Sequence, residues 1–134
     1  MTPPALTATS TNLGFVLLFV GDPATSADFY TRILAEAPVE QSPTFAMFAL
    51  PNGLNLGLWK RATAEPAIAA QPGASEICFI EQDVDRFHAD WSAKGVTILQ
   101  APTNMDFGRT FVALDPDGHR VRVFWPTPDA GPNA

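Results

Sequence analysis

The sequence has few cysteines and few basic residues. Cys78 is the only cysteine among 134 residues, so no intrachain disulfide can form and no pair of thiolates can hold zinc. Its neighbours in the segment EICFI are apolar, which predicts a buried, unreactive thiol. Eight basic residues stand against fourteen acidic ones, and the net charge is −6. We therefore expect neither a nucleic-acid-binding surface nor adhesion to anionic membranes.

Long apolar runs are missing as well. No segment approaches the roughly 20 residues that a membrane-spanning helix needs. Residues 1–12 have neither the basic nor the apolar region of a secretory signal, and we expect them to form a flexible tail, as we do for 127–134. We expect a cytoplasmic protein. The apolar fraction of 46%, with ten Phe and three Trp, is typical of a folded globular domain.

The chain contains an internal repeat. The segment NLGFVLLFVGDPATSADFY is echoed by ASEICFIEQDVDRFHADW, and each is an apolar run followed by an Asp and a helical pattern. Asp22 corresponds to Asp83, and both are predicted to cap a helix. Tyr30 corresponds to Trp91 on the apolar stripe of each helix. Each half also ends in a predicted β-hairpin, with Asn-Gly at 52–53 and Asp-Gly at 117–118 in the turns.

The periodicities predict the order strand, helix, strand, strand, strand in each half. The predicted strands are 13–20, 39–41, 45–50 and 54–59 in the first half, and 76–81, 96–100, 109–114 and 120–125 in the second. Residues 60–75 are rich in Ala and Pro without periodicity, and we interpret them as a linker between a module at 13–59 and a module at 76–126. The predicted fold class is α+β, with two βαβββ modules in one domain.

A tandem βαβββ repeat with DFYTRIL after the first strand and FGRTFVALDPDGHRVRV near the end resembles the vicinal oxygen chelate superfamily. That superfamily includes glyoxalases, bleomycin-resistance proteins and extradiol dioxygenases. The segment from Phe107 to His119 is most similar to the small antibiotic-binding members, such as phenazine-resistance and bleomycin-resistance proteins. The resemblance implies a cup-shaped mixed sheet with the ligand inside, and a homodimer that builds its cups across two chains.

The resemblance also places four metal-ligand positions. Metal-dependent members carry His, Gln or Glu there, and in this sequence the positions are Phe15, Gly57, Glu76 and Arg122. A divalent ion needs at least three N, O or S donors, and only Glu76 has one to offer. Arg122 is a permanent cation that would repel a metal. We therefore expect no cofactor, no metal and no catalytic residues.

Glu76 and Arg122 need a joint explanation. The first and last strands of a module are expected to be neighbours, so the two side chains should form a salt bridge at the vacated metal position. The bridge could be purely structural, or Arg122 could donate to a carboxylate of a ligand. Both interpretations stay open.

Alternation along the strands separates a cup face from a helix face. The last strand is predicted to turn Arg120, Arg122 and Phe124 to the cup, and Val121, Val123 and Trp125 to a helix. In the first module Leu54, Leu56 and Leu58 face the helix, whereas Asn55, Gly57 and Trp59 face the cup. Gly57 beside Trp59 would leave room for a flat ring on the indole. The alternative is that Trp59 covers a dry core.

The predicted ligand-binding residues share a place on the cup face or at its rim: Phe15, Phe19, Phe48, Asn55, Gly57, Trp59, Glu76, Phe107, Arg109, Phe111, Arg122 and Phe124. The alternation of 45–50 is undecided, so Phe45 and Met47 remain candidates too. Arg109 stands either at the rim or on the surface. His119 follows a turn, and we expect it to be solvated rather than catalytic. We expect Asp83 and Asp85 to act at the start of a helix rather than as an acid/base pair.

Three functional hypotheses follow. The first is a metal-independent protein that binds and sequesters a planar aromatic small molecule, an antibiotic being the class that the resemblance implies. The second is a metal-dependent lyase, isomerase or dioxygenase of the same superfamily. The third is an interaction module whose cup is filled by its own side chains.

Overall fold

The computed structural model describes residues 13–128. The predicted tail at 1–12 lies outside the described residues. Of the predicted tail at 127–134, only residues 127 and 128 are described, and both are exposed.

Two helices begin at the predicted capping residues. Helix α1 spans Pro23–Leu34 and helix α2 spans Val84–Ala93. The side chains of Asp22 and Asp83 each accept a hydrogen bond from a main-chain N–H in the first turn, which satisfies a donor that the helix itself leaves unpaired. Gly95 follows α2 with a φ of 80°, as predicted for a residue that ends a helix.

The first module forms a four-stranded mixed sheet. Its strands are β1 Phe15–Val20, β2 Glu40–Gln41, β3 Phe45–Ala49 and β4 Asn55–Lys60. Their order across the sheet is β1-β4-β3-β2, with β1 parallel to β4 and the other pairs antiparallel. The predicted neighbour relation of first and last strand is confirmed. Because β1 and β4 are parallel, the chain has to cross over the sheet after β1, and α1 forms this connection.

The second module repeats this arrangement. Its strands are β5 Glu76–Ile80, β6 Thr97–Met105, β7 Gly108–Leu114 and β8 Arg120–Pro126, in the order β5-β8-β7-β6. Strand β6 continues past its predicted end at Gln100. It lies at the edge of the sheet and shifts register between Ile98 and Thr103, so Pro102 can be accommodated there without losing a central hydrogen bond.

The segment between the modules contains little regular structure. Strand β4 extends to Lys60, and one turn of 3-10 helix follows at Arg61–Thr63. Residues 64–75 form neither helix nor strand. Lys60 therefore belongs to β4, and the interpretation of the segment as a linker stays a prediction.

One core joins the helix faces of both sheets. Leu56 and Leu58 on β4 and Val121 and Val123 on β8 are buried in it, as the alternation predicted. Trp125 was expected on the same face, but it is 43% exposed because it lies near the end of β8. Within residues 13–128, neither helix is long and apolar enough to cross a membrane.

Candidate functional site

A row of large apolar side chains covers the side of the first sheet that faces away from α1. Phe15, Leu17 and Phe19 alternate along β1, and Phe45 and Trp59 lie beside them on β3 and β4. We call these five residues the aromatic face. Phe15 is 40% and Leu17 39% exposed, and the other three are half-buried.

The rings of the aromatic face already contact one another. The centroids of Phe15 and Phe45 are 6.4 Å apart, and those of Phe19 and Trp59 are 6.1 Å apart; both pairs are tilted by 34°. Phe15, Leu17, Phe45 and Trp59 line an open depression of about 370 Å³. An apolar, partly exposed surface of this kind can pack against a flat ring.

Gly57 makes close packing in this face possible, although not in the way predicted. A Cβ at Gly57 would lie 2.6 Å from both Leu17 Cδ2 and Phe15 Cε1. The space that glycine leaves is therefore filled by side chains of the aromatic face itself. The prediction that this space is free for a ligand ring is wrong. Asn55, the next predicted cup residue, is half-buried and pairs with Phe15 across the sheet.

A charged cluster occupies the corresponding side of the second sheet. Glu76 Oε2 lies 3.0 Å from Arg122 Nε, which confirms the predicted salt bridge. Sequence reasoning did not foresee that Arg120 joins it, with its Nε 2.9 Å from Glu76 Oε1. Alternation could have found this contact, because Arg120 and Arg122 share a face of β8 and both lie beside β5.

Further contacts hold the Arg122 guanidinium in place. Its Nη1 donates to Thr110 Oγ1 at 3.0 Å, and its Cζ lies 5.5 Å from the ring centroid of Phe107. Phe107 in turn meets Phe124 edge to face at 5.7 Å. Burial would raise the pKa of Glu76, but the hydrogen bond and charge of Arg122 outweigh it, so the pKa lies below its ordinary value. Glu76, Arg120 and Arg122 are thus all ionised at neutral pH. The carboxylate balances one of the two guanidinium charges, and one positive charge remains.

The residues at the four family ligand positions do not fit a divalent ion. Phe15 and Gly57 have no donor atom. Both oxygens of Glu76 already accept from guanidinium groups. A metal there would have to displace two arginines and would still have a single protein ligand.

Cys78 is a correction to the sequence prediction. It was expected to be buried, but it is exposed on β5. Strand β5 is an edge strand, and the face that carries Cys78 turns away from α2. Partial shielding of the sulfur, followed by the charge of Glu76, raises the pKa of the thiol, so it is a weak nucleophile at neutral pH.

Three predicted ligand-binding residues lie on the wrong side of the sheets. Phe48 and Phe111 are fully buried among the core residues. Phe111 contacts Trp91 of α2, with 5.3 Å between their ring centroids. Arg109 also faces α2, where its Nε and Nη2 each donate to Asp85 at 2.8 Å. These residues belong to the helix faces, so a ligand on the cup side cannot reach them.

His119 was expected to be solvated, and that expectation is wrong. It is 4% exposed, and its Nδ1 lies 2.9 Å from Asp115 Oδ2. The hydroxyl of Tyr30 donates to the same carboxylate at 2.8 Å, and Asp117 accepts from the main-chain N–H of Gly21. These bonds fasten the hairpin of the second module to the first module. No local pattern indicates this contact, because the partners are 85 and 96 positions apart.

Asp115, Asp117 and His119 could geometrically surround an ion, but their oxygens are already used. Asp115 Oδ1 accepts from the main-chain N–H groups of Asp117 and His119. The hydrogen bond to Asp115 raises the pKa of His119; burial would raise that of Asp115, but its donors keep it below the ordinary value. The cluster is a structural hydrogen-bond network.

Comparison with known proteins gives consistent matches. The family model described as Glyoxalase/Bleomycin resistance protein/Dioxygenase superfamily matches residues 12–123. The phenazine antibiotic resistance protein EhpR of Enterobacter agglomerans is 31% identical over 113 residues, which are 80% of this chain and 86% of that protein.

Solved structures agree on the architecture. The solution structure of protein ATC0852 from Agrobacterium tumefaciens has a TM-score of 0.79 and 45% identity, covering 88% of this chain and 99% of that one. A glyoxalase/bleomycin resistance protein/dioxygenase from Nocardioides has a TM-score of 0.81 at 22% identity, covering 96% of this chain and 91% of that one. The second likeness concerns the fold alone.

Proposed function

Because the chain belongs to the glyoxalase/bleomycin resistance protein/dioxygenase superfamily, we propose that it binds and sequesters a planar aromatic small molecule, such as an antibiotic, without a metal. The observation that carries this proposal is the aromatic face. It presents Phe15, Phe45 and Trp59 around an open depression on the side of the sheet that faces away from α1. The likeness to a phenazine resistance protein supports a three-ring heterocycle as the first ligand to test.

Sequestration fits the chemistry of the residues present. Binding by stacking needs a rigid, apolar and partly desolvated surface, and each aromatic contact contributes about 0.5–1.5 kcal/mol beyond the area buried. No bond-making group is required. On the second sheet, Glu76 and Arg122 neutralise each other where a metal would polarise a substrate, so this position favours binding over catalysis.

We also propose that a homodimer completes the site, and that the protein resides in the cytoplasm. Large apolar side chains on both sheets are exposed in the single chain, with Phe15 at 40%, Leu17 at 39% and Ile80 at 60%. A second copy that covers these surfaces would bury apolar area and could bring the aromatic face opposite the Glu76–Arg122 cluster. Sedimentation velocity at micromolar protein would show a dimer; a monomer at every concentration would contradict this part.

Tryptophan fluorescence tests the binding proposal. Trp59 is on the aromatic face, and Trp91 is buried in the core. Trp125 is exposed, on the face of β8 opposite to the one that carries Arg122. Phenazine should quench the wild-type emission saturably. Quenching should be lost in Trp59→Ala and retained in the matched control Trp125→Ala, and the phenazine should be recovered chemically unchanged. Absence of saturable quenching by phenazine, a quinone and bleomycin in the wild type would refute the proposal.

A further inference from the structure

Arg61 stands at the end of the aromatic face. It follows directly on β4, two positions after Trp59, in the first turn of the linker. A cavity of about 300 Å³ lies next to it, lined on one side by Leu17 and Phe19 of the aromatic face and on the other by the loop from Ile68 to Ser75. Arg61 itself is part of the lining. A guanidinium group is therefore close to a surface that suits a flat ring.

The charge of Arg61 has no acidic partner in the described part of the chain. Nη2 donates to the main-chain carbonyl of Ile68 at 3.3 Å and to that of Ala70 at 2.6 Å. Nε is buried without an acceptor among residues 13–128. A guanidinium offers five donors, and two carbonyl bonds leave both its charge and part of its donor capacity uncompensated.

The other cations are differently placed. Five of them form salt bridges to Asp or Glu, with Arg120 and Arg122 sharing Glu76: Arg32, Lys94, Arg109, Arg120 and Arg122. Arg86 and Lys60 have no such partner within residues 13–128. Arg86 is exposed to water on α2, and Lys60, half-buried at the end of β4, does not line the cavity beside Arg61. Arg61 is thus the half-buried arginine of the described chain that lacks a carboxylate. Arg122, the donor considered from the sequence, is already held by Glu76.

We propose that the ligand of the aromatic face is an aromatic carboxylate, whose ring packs on Phe19 and Trp59 and whose carboxyl group pairs with Arg61. This rests on the proposed function and specifies the ligand class for the same site. Among the described residues Nη2 donates to two carbonyls and Nε is buried, so Nη1 is the nitrogen that can donate to the carboxyl group. Such a charge-assisted hydrogen bond is about twice as strong as a neutral one. The net charge of −6 repels an anion at long range, but salt screens that repulsion beyond about 8–10 Å, whereas the local pair is screened less.

A matched pair of probes separates this inference from the proposed function. Phenazine-1-carboxylate and phenazine share the ring system and differ in the carboxylate. Their dissociation constants are measured by Trp fluorescence for the wild type, Arg61→Gln and Arg61→Lys, with Arg86→Gln as the control for an exposed, unpaired cation. We expect the wild type to prefer the acid. Arg61→Gln should weaken binding of the acid by about tenfold or more while changing phenazine less than about twofold.

The remaining outcomes are also decisive. Arg61→Lys should retain part of the preference for the acid, and Arg86→Gln should retain all of it. If Arg61→Gln weakens both probes equally, Arg61 acts only by ordering the 68–75 loop, and the inference is wrong while the proposed function stands. If phenazine binds the wild type as well as the acid does, the inference is wrong as well. If neither probe binds the wild type, both the proposed function and the inference fail.

Discussion

The carboxylate of Glu76 lies 3.0 Å from Nε of Arg122, across the neighbouring strands β5 and β8. The Arg122 side chain is 13% exposed and that of Glu76 29%. Desolvating two opposite charges costs free energy that their attraction only partly returns. We therefore expect the largest loss of folding stability when one partner is removed and the other charge stays in place.

Replacing Glu76 by Gln should destabilise the fold. The change leaves Arg122 partly buried without its counter-ion, and we expect the free energy of unfolding to fall by about 1–2 kcal/mol at pH 7. Urea denaturation measures this. The matched control is Glu81→Gln at the other end of β5, where no ion pair is formed within residues 13–128; it should change stability by less than about 0.5 kcal/mol.

The same comparison has a predicted pH dependence. Because the folded-state pKa of Glu76 lies below its ordinary value of 4.5, its contribution is complete above pH 4.5 and is lost as the pH falls through the folded pKa. Wild type and Glu76→Gln should therefore converge in stability in acid. A stability difference that stays constant from neutral to acidic pH would contradict the ion pair as its cause.

The sequence predicted the elements well because their signals are local. Asp22 and Asp83 cap helices through bonds to the next turn, and glycines at 53 and 118 adopt the positive φ that tight hairpin turns need. Alternation then put Trp59 on the side away from α1, because β4 carries Asn55 and Gly57 on one face and leucines on the other. Phe15 was placed by the family resemblance, since β1 is apolar on both faces.

Sequence reasoning failed where both faces of a strand are apolar or where the contact is distant. The segment FAMFA of β3 has no polar alternation, so nothing local shows that Phe45 faces away from α1 and Phe48 faces the core. The buried network of His119 and Asp115 includes the hydroxyl of Tyr30, in the other module. Exposure of Cys78 depends on β5 being an edge strand, which is a property of the sheet and not of the segment EICFI.

Replacing Tyr30 by Phe should weaken the attachment between the modules. The hydroxyl donates to Asp115 at 2.8 Å, and both groups are buried. Removing a donor from a buried carboxylate costs about 1.5–3 kcal/mol, and the ring volume is kept. Thermal unfolding should show a single transition at lower temperature. An unchanged unfolding free energy would mean that Asp115 is satisfied by its remaining donors from Asp117 and His119.

Replacing Gly57 by Ala should disturb binding more than folding. The added Cβ collides with the ends of Leu17 and Phe15, which are about 40% exposed and can move outward. They would then enter the depression beside Trp59 and weaken phenazine binding several-fold. The stability should change by less than about 1 kcal/mol, since alanine is favoured over glycine in a strand. Gly14→Ala is the control, because its Cβ meets nothing within 4 Å.

Divalent metal ions should not alter ligand binding. Glu76 is the only donor at the four family positions, and two arginines occupy its oxygens. The dissociation constant of phenazine should therefore be the same after treatment with EDTA and in excess Zn²⁺, Mn²⁺ or Ni²⁺. Equilibrium dialysis of the ions against wild type, Glu76→Gln and Asp117→Asn distinguishes an ion bound at Glu76 from an ion bound at Asp117. An ion lost only in Asp117→Asn would belong to the network around Asp115 and His119, whereas one stoichiometric ion that is lost in Glu76→Gln and tightens ligand binding would overturn the metal-independent proposal.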